Sequence, residues 1–437
     1  MIKNIYTSID WLKKCFFRKN VFFSFVLLWI IIQVVIAAFY WDPEWVSDPG
    51  LYQYYAVQSV ENSSLYPSFD NYYDEFIFAP GWVNLLALIY YLFGSFTMVP
   101  YILIVINAIN LIVLLKISDN ITGNNRSIHY LLGYLYIALL ANTTTHIFLY
   151  SEYIYVFFAN SALYLALKNK LVDFLLCGIL ISLAIWTRPL AYAWFLAIIF
   201  LSVICYKNLK GALVFMLMVM ISAGTIGFFT HLNFPDFLFQ AKSGGVNMIM
   251  GADDSATGGY NPIPRLKGGA AYIPELYDQN SHIPVKNYSG GYALAPGSKW
   301  SYSQVDSIYM SKSKEYIINH PLKWLSLMPS KLNILCFSGS MSNAPSFDNI
   351  LAKKICSLFL LIQLFIVRLV FLFCFIGLFT GFWKNLSEIY LLIPIFVAVT
   401  MTLVCVSATR YNYIFLHLAM LFALITLRKI YLKFKFN

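Results

Sequence analysis

Apolar runs long enough to cross a bilayer alternate with short polar stretches along most of the chain. A membrane-spanning α-helix needs about 20 predominantly apolar residues. The pattern therefore predicts an all-α polytopic membrane protein with a bundle of about ten transmembrane helices. Their expected ranges are, in chain order, 21–40, 98–116, 128–146, 150–167, 171–186, 190–206, 211–230, 356–381, 389–406 and 411–427.

Two other apolar segments do not fit a membrane crossing. The run 82–93 is too short for a comfortable span, and we interpret it as an interfacial or re-entrant helix in the first outer loop. Helical periodicity returns over 303–319, and 321–335 has the pattern of an amphipathic helix that lies on the bilayer surface. The fold is thus expected to combine a helical bundle with interfacial helices.

Composition and charge support a membrane protein and indicate its orientation. The chain is 60% hydrophobic and only 11% charged, which excludes an ordinary soluble domain. Much of its net charge of +10 lies in short loops beside the predicted spans, and such Lys and Arg residues are retained on the cytoplasmic side. We therefore expect both termini in the cytoplasm, a lipid bilayer as surroundings and no nucleic-acid partner.

The expected spans and loops divide the chain into three predicted parts. Residues 1–230 form an N-terminal transmembrane module whose first outer loop is 41–97. Residues 231–350 form a large extracytoplasmic loop, rich in Gly, Pro, Tyr and Asn, that includes the interfacial helix. Residues 351–437 form the C-terminal transmembrane helices.

The first outer loop, 41–97, carries seven acidic residues and no Lys or Arg, although the whole chain has more basic than acidic residues. Asp48 directly precedes Pro49, which is the pattern of an N-cap with proline at the first helical position. Asp48 is therefore either only a helix cap or a general base held at the membrane surface. Asp42 precedes Pro43 and either begins a turn or is a second catalytic candidate.

Other charged residues fall near the predicted outer surface. Glu152, at the outer end of a span, is either a catalytic acid or the partner of Arg188 in a structural ion pair. Arg188, Lys331 and Arg410 either extend towards lipid headgroups or bind the phosphate of a lipid-linked substrate. Arg368 lies within a span and is expected to face the bundle interior. No Cys or His spacing predicts a metal site.

Several short motifs occur in a fixed order. They are Asp-x-x-x-Tyr-x-x-x-Ala at Asp48, Tyr52 and Ala56, Pro-Gly-x-x-x-Leu-Leu-Ala-Leu-x-x-x-Leu-Phe-Gly over 80–94, Ser151-Glu152, Thr187-Arg188-Pro189, the glycine-rich segment 250–260, the helix 316–331 and Thr409-Arg410-Tyr411. In this order they resemble the GT-C glycosyltransferases, in particular the protein mannosyltransferases and lipid A aminoarabinose transferases. Here Asp48 is followed by proline, where that family usually has Glu or Ala.

This resemblance implies an activity. The donor would be a polyprenyl-phosphate-linked sugar, and a hydroxyl of a glycan acceptor would displace the phosphate with inversion. Asp48 would be the base, Arg410, Lys331 and Arg188 would bind the phosphate, and Tyr52 and Tyr260 would line the donor or acceptor. No cofactor is implied. By analogy with O-antigen glucosyltransferases, the enzyme would lie in a bacterial inner membrane with a periplasmic active site.

Two alternatives remain at this point. O-antigen polymerases and ligases also have a large late outer loop, although they would not need an acidic first loop. A polysaccharide flippase or transporter is a non-enzymatic alternative. Transporters often place charge near the bilayer midplane and show internal repeats, whereas here the charge gathers outside the spans and no repeat is evident.

Overall fold

The computed structural model describes residues 16–41, 47–65, 79–232, 239–261, 302–340, 350–381, 386–405 and 407–436. All regular elements in these segments are helices. In chain order they are α1 Lys19–Tyr40, α2 Ser47–Glu61, α3 Pro80–Phe93, α4 Val99–Thr122, α5 Arg126–Ala138, α6 Leu140–Thr144, α7 Glu152–Ala166, α8 Leu171–Thr187, α9 Tyr192–Phe200, α10 Leu209–His231, α11 Gly244–Met250, α12 Tyr302–Asn319, α13 Pro321–Ser326, α14 Met328–Leu332, α15 Ile350–Phe379, α16 Leu386–Val404 and α17 Tyr413–Phe436.

The chain is an all-helical, multi-pass membrane protein. Within the described segments, five helices are long and apolar enough to cross a bilayer: α1, α4, α10, α15 and the helix formed by Thr409–Asn412 with α17. A sixth crossing is counted if α5 and the bent stretch after it form one span, and the other apolar helices are shorter. Each predicted span coincides with one or more helices, while the count of ten crossings stays a prediction.

The predicted span 128–146 is not one continuous helix. The helix breaks at Leu139, where the axis turns by 64°. Side chains pair with the backbone groups freed at the break: Gln363 Oε1 accepts from Ala141 N at 2.8 Å, and Asn142 Nδ2 donates to Tyr136 O at 2.7 Å. A broken helix persists at membrane depth only where its freed backbone groups find such partners.

The core surrounds α17. Most of this helix is buried, whereas α1, α10 and α15 expose most of their apolar side chains. Helix α17 packs against α15 and α16, and α7 packs between α4 and α8. Apolar helices that expose most of their side chains suit contact with lipid, and a helix that is mostly buried, such as α17, suits the interior.

The short helices expected at the interface are present, with one correction. Helix α3 packs on α2 through one buried face and exposes Leu88 and Leu92 on the other. The single amphipathic helix predicted over 321–335 is instead α13, α14 and a further turn, because the chain breaks at Leu327 before Pro329. Leu322 and Leu325 of α13 are exposed, as expected for a helix at the bilayer surface.

Arg368 differs from its prediction. Its side chain is exposed and does not face the bundle interior. The guanidinium Nε donates to Phe337 O at 2.9 Å. The charged group therefore lies on the exposed side of α15, beside the backbone of the helical turn Asn333–Phe337.

Candidate active site

Four segments that are distant in sequence converge at one place. They are the first turn of α2, the start of α7, the end of α8 and the turn Thr409–Asn412 before α17. Asp48, Glu152, Arg188 and Arg410, each singled out from the sequence, come from these four segments. The structure thus gathers four of the predicted site residues.

Asp48 and Arg410 form an ion pair across the cluster. Asp48 Oδ2 lies 2.9 Å from Arg410 Nη2, and the two side chains are 21% and 30% exposed. Helix α2 begins at Ser47, one residue before the predicted N-cap, so Asp48 is the second residue of the helix. The positive end of the helix dipole still stabilises the Asp48 carboxylate at this position. The partner of the carboxylate is the Arg410 guanidinium, which solvent can reach.

Two aromatic rings hold the Arg410 guanidinium. Its Cζ lies 5.6 Å from the centre of the Tyr150 ring and 5.8 Å from that of the adjacent Tyr411. Such cation–π contacts orient a guanidinium plane. Tyr150 was not anticipated from the sequence, because it carries no charge and lies among many other tyrosines.

Glu152 and Arg188 form a second, more deeply buried pair. Arg188 Nη2 donates to Glu152 Oε1 at 2.7 Å, and Arg188 Nε donates to Ser151 Oγ at 2.8 Å. The side chain of Glu152 is fully buried and that of Arg188 is 13% exposed. The structural ion pair considered in the sequence analysis is therefore present, and the enclosed carboxylate of Glu152 is less accessible to a substrate than that of Asp48.

Tyr52 lies close to both pairs. It is almost fully buried, and its role as a donor or acceptor contact stays a prediction. Burial raises the pKa of its hydroxyl, and the nearby charge of Asp48 raises it further, while Arg188 and Arg410 act in the opposite direction. These interactions show that the two ion pairs share one electrostatic environment.

Lys331 is held by the backbone in this structure, and phosphate binding by it stays a prediction. Its ammonium is buried and donates to three backbone oxygens: Gly251 O at 3.2 Å, Leu403 O at 2.8 Å and Cys405 O at 2.6 Å. An ammonium has three N–H donors, and these carbonyl groups use all of them. Burial lowers its pKa to about 8, so the group is still charged at neutral pH. In this arrangement Lys331 has no donor left for a phosphate.

The remaining predicted residues are placed as follows. Tyr260 is exposed and follows Gly258 by two residues, and the Gly258 carbonyl accepts from Ser407 N at 3.1 Å. Tyr260 therefore lies near the segment that leads to Arg410, and its role as a sugar contact stays a prediction. Asp42 lies outside the described residues. Within the described segments, no three His, Cys, Asp or Glu side chains are close enough together to hold a metal ion.

Replacing Glu152 with glutamine tests the buried pair. The glutamine amide keeps an oxygen for the Arg188 hydrogen bond but removes the compensating charge, so we expect a loss of about 1–3 kcal/mol in the free energy of unfolding. Thermal unfolding in detergent would measure it, with Glu61→Gln, an exposed change on α2, as the control. Unaltered stability would show that Arg188 does not depend on this carboxylate.

The comparisons with known proteins give one similar structure. No protein-family model matches the chain, and no curated protein matches it. Among solved structures, the chain is similar to the oligosaccharyltransferase of Archaeoglobus fulgidus in complex with Zn and sulfate, with a TM-score of 0.49 and 13% sequence identity. The match covers 94% of this chain and 50% of the other, so this chain spans about half the length of that protein.

Proposed function

We propose that the protein is an inverting glycosyltransferase, which moves a sugar from a polyprenyl-phosphate carrier to a hydroxyl group of a cell-surface glycan. The observation that carries this proposal is the solvent-accessible Asp48–Arg410 pair beside Arg188. Two carboxylates and two guanidinium groups lie in a single cluster on a membrane protein, and of the two carboxylates only that of Asp48 is open to solvent. That carboxylate suits a general base, and the guanidinium groups suit an anionic leaving group.

The reaction needs only a few groups. The acceptor oxygen forms a bond to the anomeric carbon of the sugar while the bond from that carbon to the phosphate oxygen breaks. The phosphate leaves with the electron pair, and its charge is stabilised by Arg410 and Arg188. The proton of the acceptor hydroxyl passes to Asp48. A single displacement of this kind inverts the configuration at the anomeric carbon.

A lipid-linked donor fits a site built on membrane helices. A polyprenyl chain partitions into the bilayer, whereas its phosphate requires fixed positive charge at the surface. The sequence resemblance to glycosyltransferases that use polyprenyl-phosphate sugars supports the same donor class. On that basis the donor is a sugar on undecaprenyl phosphate in a bacterial inner membrane, and the acceptor is an O-antigen or a similar surface glycan.

A reconstituted assay tests this proposal. Purified protein in lipid vesicles would be given a polyprenyl-phosphate hexose and a short glycan, and we expect a glycosylated acceptor and free polyprenyl phosphate. Release of a polyprenyl diphosphate from a diphosphate-linked glycan would identify a polymerase or ligase instead. Movement of a lipid-linked glycan across the vesicle without a new glycosidic bond would identify a flippase. Mass analysis of surface polysaccharide from cells with and without the protein would then identify the sugar.

The proposed topology predicts which positions an impermeant thiol reagent reaches. The reagent is added to intact cells in which it can reach the outer face of the inner membrane. We expect labelling of Ser64→Cys and Ser307→Cys, because both positions belong to predicted outer loops. Asn120→Cys, at the predicted cytoplasmic end of α4, is the control and should be protected, and wild-type protein corrects for native cysteines. Protection of either outer position would overturn the orientation. Ser298, in the same late loop, lies outside the described residues and offers a further labelling position.

A further inference from the structure

Lys331 connects backbone segments that are distant in sequence. The oxygens around its ammonium belong to the turn after α11 and to the end of α16, at Leu403 and Cys405. A charged donor strengthens such hydrogen bonds relative to neutral ones. Lys331 thereby ties the late outer segment to the chain that leaves α16.

The approach of these segments requires a glycine. A Cβ atom added to Gly251 would lie 1.9 Å from Cys405 O and 3.1 Å from Lys331 Nζ. Any larger residue at this position would push the Cys405 carbonyl away from the ammonium. Glycine at position 251 therefore permits the close contact between the turn after α11 and the end of α16.

The chain that leaves α16 leads directly to Arg410. Further hydrogen bonds hold it on both sides of that residue: Ser407 N donates to Gly258 O at 3.1 Å, and Asn412 Nδ2 donates to Leu335 O at 2.7 Å and Gly339 O at 2.5 Å. Arg410 thus lies in a short connecting segment, called the bridge (residues 403–405 and 407–412). Hydrogen bonds fix both ends of the bridge to the late outer segment. The Arg410 guanidinium meets Asp48 from this bridge.

We infer that Lys331 is a positioning residue, whose buried ammonium fixes the backbone at Leu403 and Cys405 so that Arg410 reaches Asp48 and the leaving phosphate. The hydrogen bonds of Lys331, Ser407 and Asn412 support this assignment, and its consequence for activity rests on the proposed glycosyl transfer. A direct phosphate contact by Lys331 is the competing assignment. It would require the ammonium to leave at least one of its three carbonyl partners.

A double-mutant cycle distinguishes positioning from direct binding. We expect Lys331→Met to lower kcat by about tenfold to a hundredfold, since misplacement of about 1 Å costs rates of this size. In an Arg410→Gln background the same change should cost little more, because the group it positions is gone. Equal losses in both backgrounds would overturn the inference. Lys323→Met is the matched control, since Lys323 is exposed and pairs with the exposed Asp254.

Hydrogen exchange tests the same inference without any substrate. In vesicle-embedded protein, Lys331→Met should speed amide exchange over 403–412 at least severalfold, and Lys323→Met should leave it unchanged. Unchanged exchange in Lys331→Met would overturn the positioning role. Faster exchange in a protein that transfers no sugar would contradict only the proposed function.

A second variant covers the case in which Lys331→Met does not accumulate. Asn412→Ala releases the other end of the bridge, and we expect it to speed exchange over 403–412 and to be non-additive with Arg410→Gln. Full additivity of Asn412→Ala with Arg410→Gln would count against a bridge that acts through Arg410.

Discussion

Asp48→Asn is expected to slow sugar transfer by about a hundredfold or more, because an amide cannot accept the proton that the acceptor hydroxyl loses. Asparagine loses the favourable interaction of a carboxylate with the helix N-terminus, worth about 0.3–1 kcal/mol, but its side-chain oxygen can still accept from Arg410. The fold and the expression level should therefore be retained. The measurement is the rate of transfer from a polyprenyl-phosphate sugar in vesicles, at protein amounts matched to wild type.

Two other acids serve as controls for Asp48. Asp42→Asn and Glu152→Gln should each reduce the rate less than Asp48→Asn, since Glu152 is enclosed by its pair with Arg188. If Asp48→Asn transfers sugar at nearly the wild-type rate, Asp48 is only a structural acid and the base lies elsewhere. Asp42 would then be the next candidate.

Arg410→Gln is expected to reduce kcat by about a hundredfold to a thousandfold, the range found when a fixed donor to a developing anion is removed. Arg410→Lys should recover part of the loss, since an ammonium supplies the charge but not the planar, two-pronged donor set. Both variants should be compared on kcat and KM separately. A loss confined to KM would show that Arg410 binds the donor without stabilising the departing phosphate.

Arg368→Gln is the matched control for Arg410. Arg368 is also an arginine of the membrane bundle, but its Nε donates to Phe337 O and it forms no part of the cluster. We expect transfer close to the wild-type rate. An equal loss in both variants would indicate that the rate depends on the overall positive charge and not on the guanidinium that faces Asp48.

The helices of the bundle are largely predictable from the sequence, because hydropathy is a local property. The predicted span 211–230, for example, corresponds to α10, Leu209–His231. The break at Leu139 is not predictable in the same way. The side chain that satisfies the freed Ala141 N–H belongs to Gln363, 222 residues away, and no local pattern connects the two.

The four charged residues of the cluster could be singled out from the sequence, but their arrangement could not. Charged residues are costly in an apolar chain, so Asp48, Glu152, Arg188 and Arg410 stand out in the sequence. Their pairing depends on how helices that are distant in sequence pack together, and no local sequence pattern predicts it. The contacts of Lys331 could be predicted least of all. Its three acceptors are backbone oxygens, which every residue has, so no residue type in the sequence marks them.

The two ion pairs differ in when they can form during synthesis. Glu152 and Arg188 are 36 residues apart and lie on the adjacent helices α7 and α8, so they can pair as soon as this hairpin enters the membrane. Asp48 follows the first described helix, and Arg410 precedes the last one. Chains emerge and fold from the N-terminus, so the acid reaches the surface long before its arginine has been made. The cluster is therefore completed only as α17 is inserted, and a partly synthesised chain exposes Asp48 without the arginine that pairs with it.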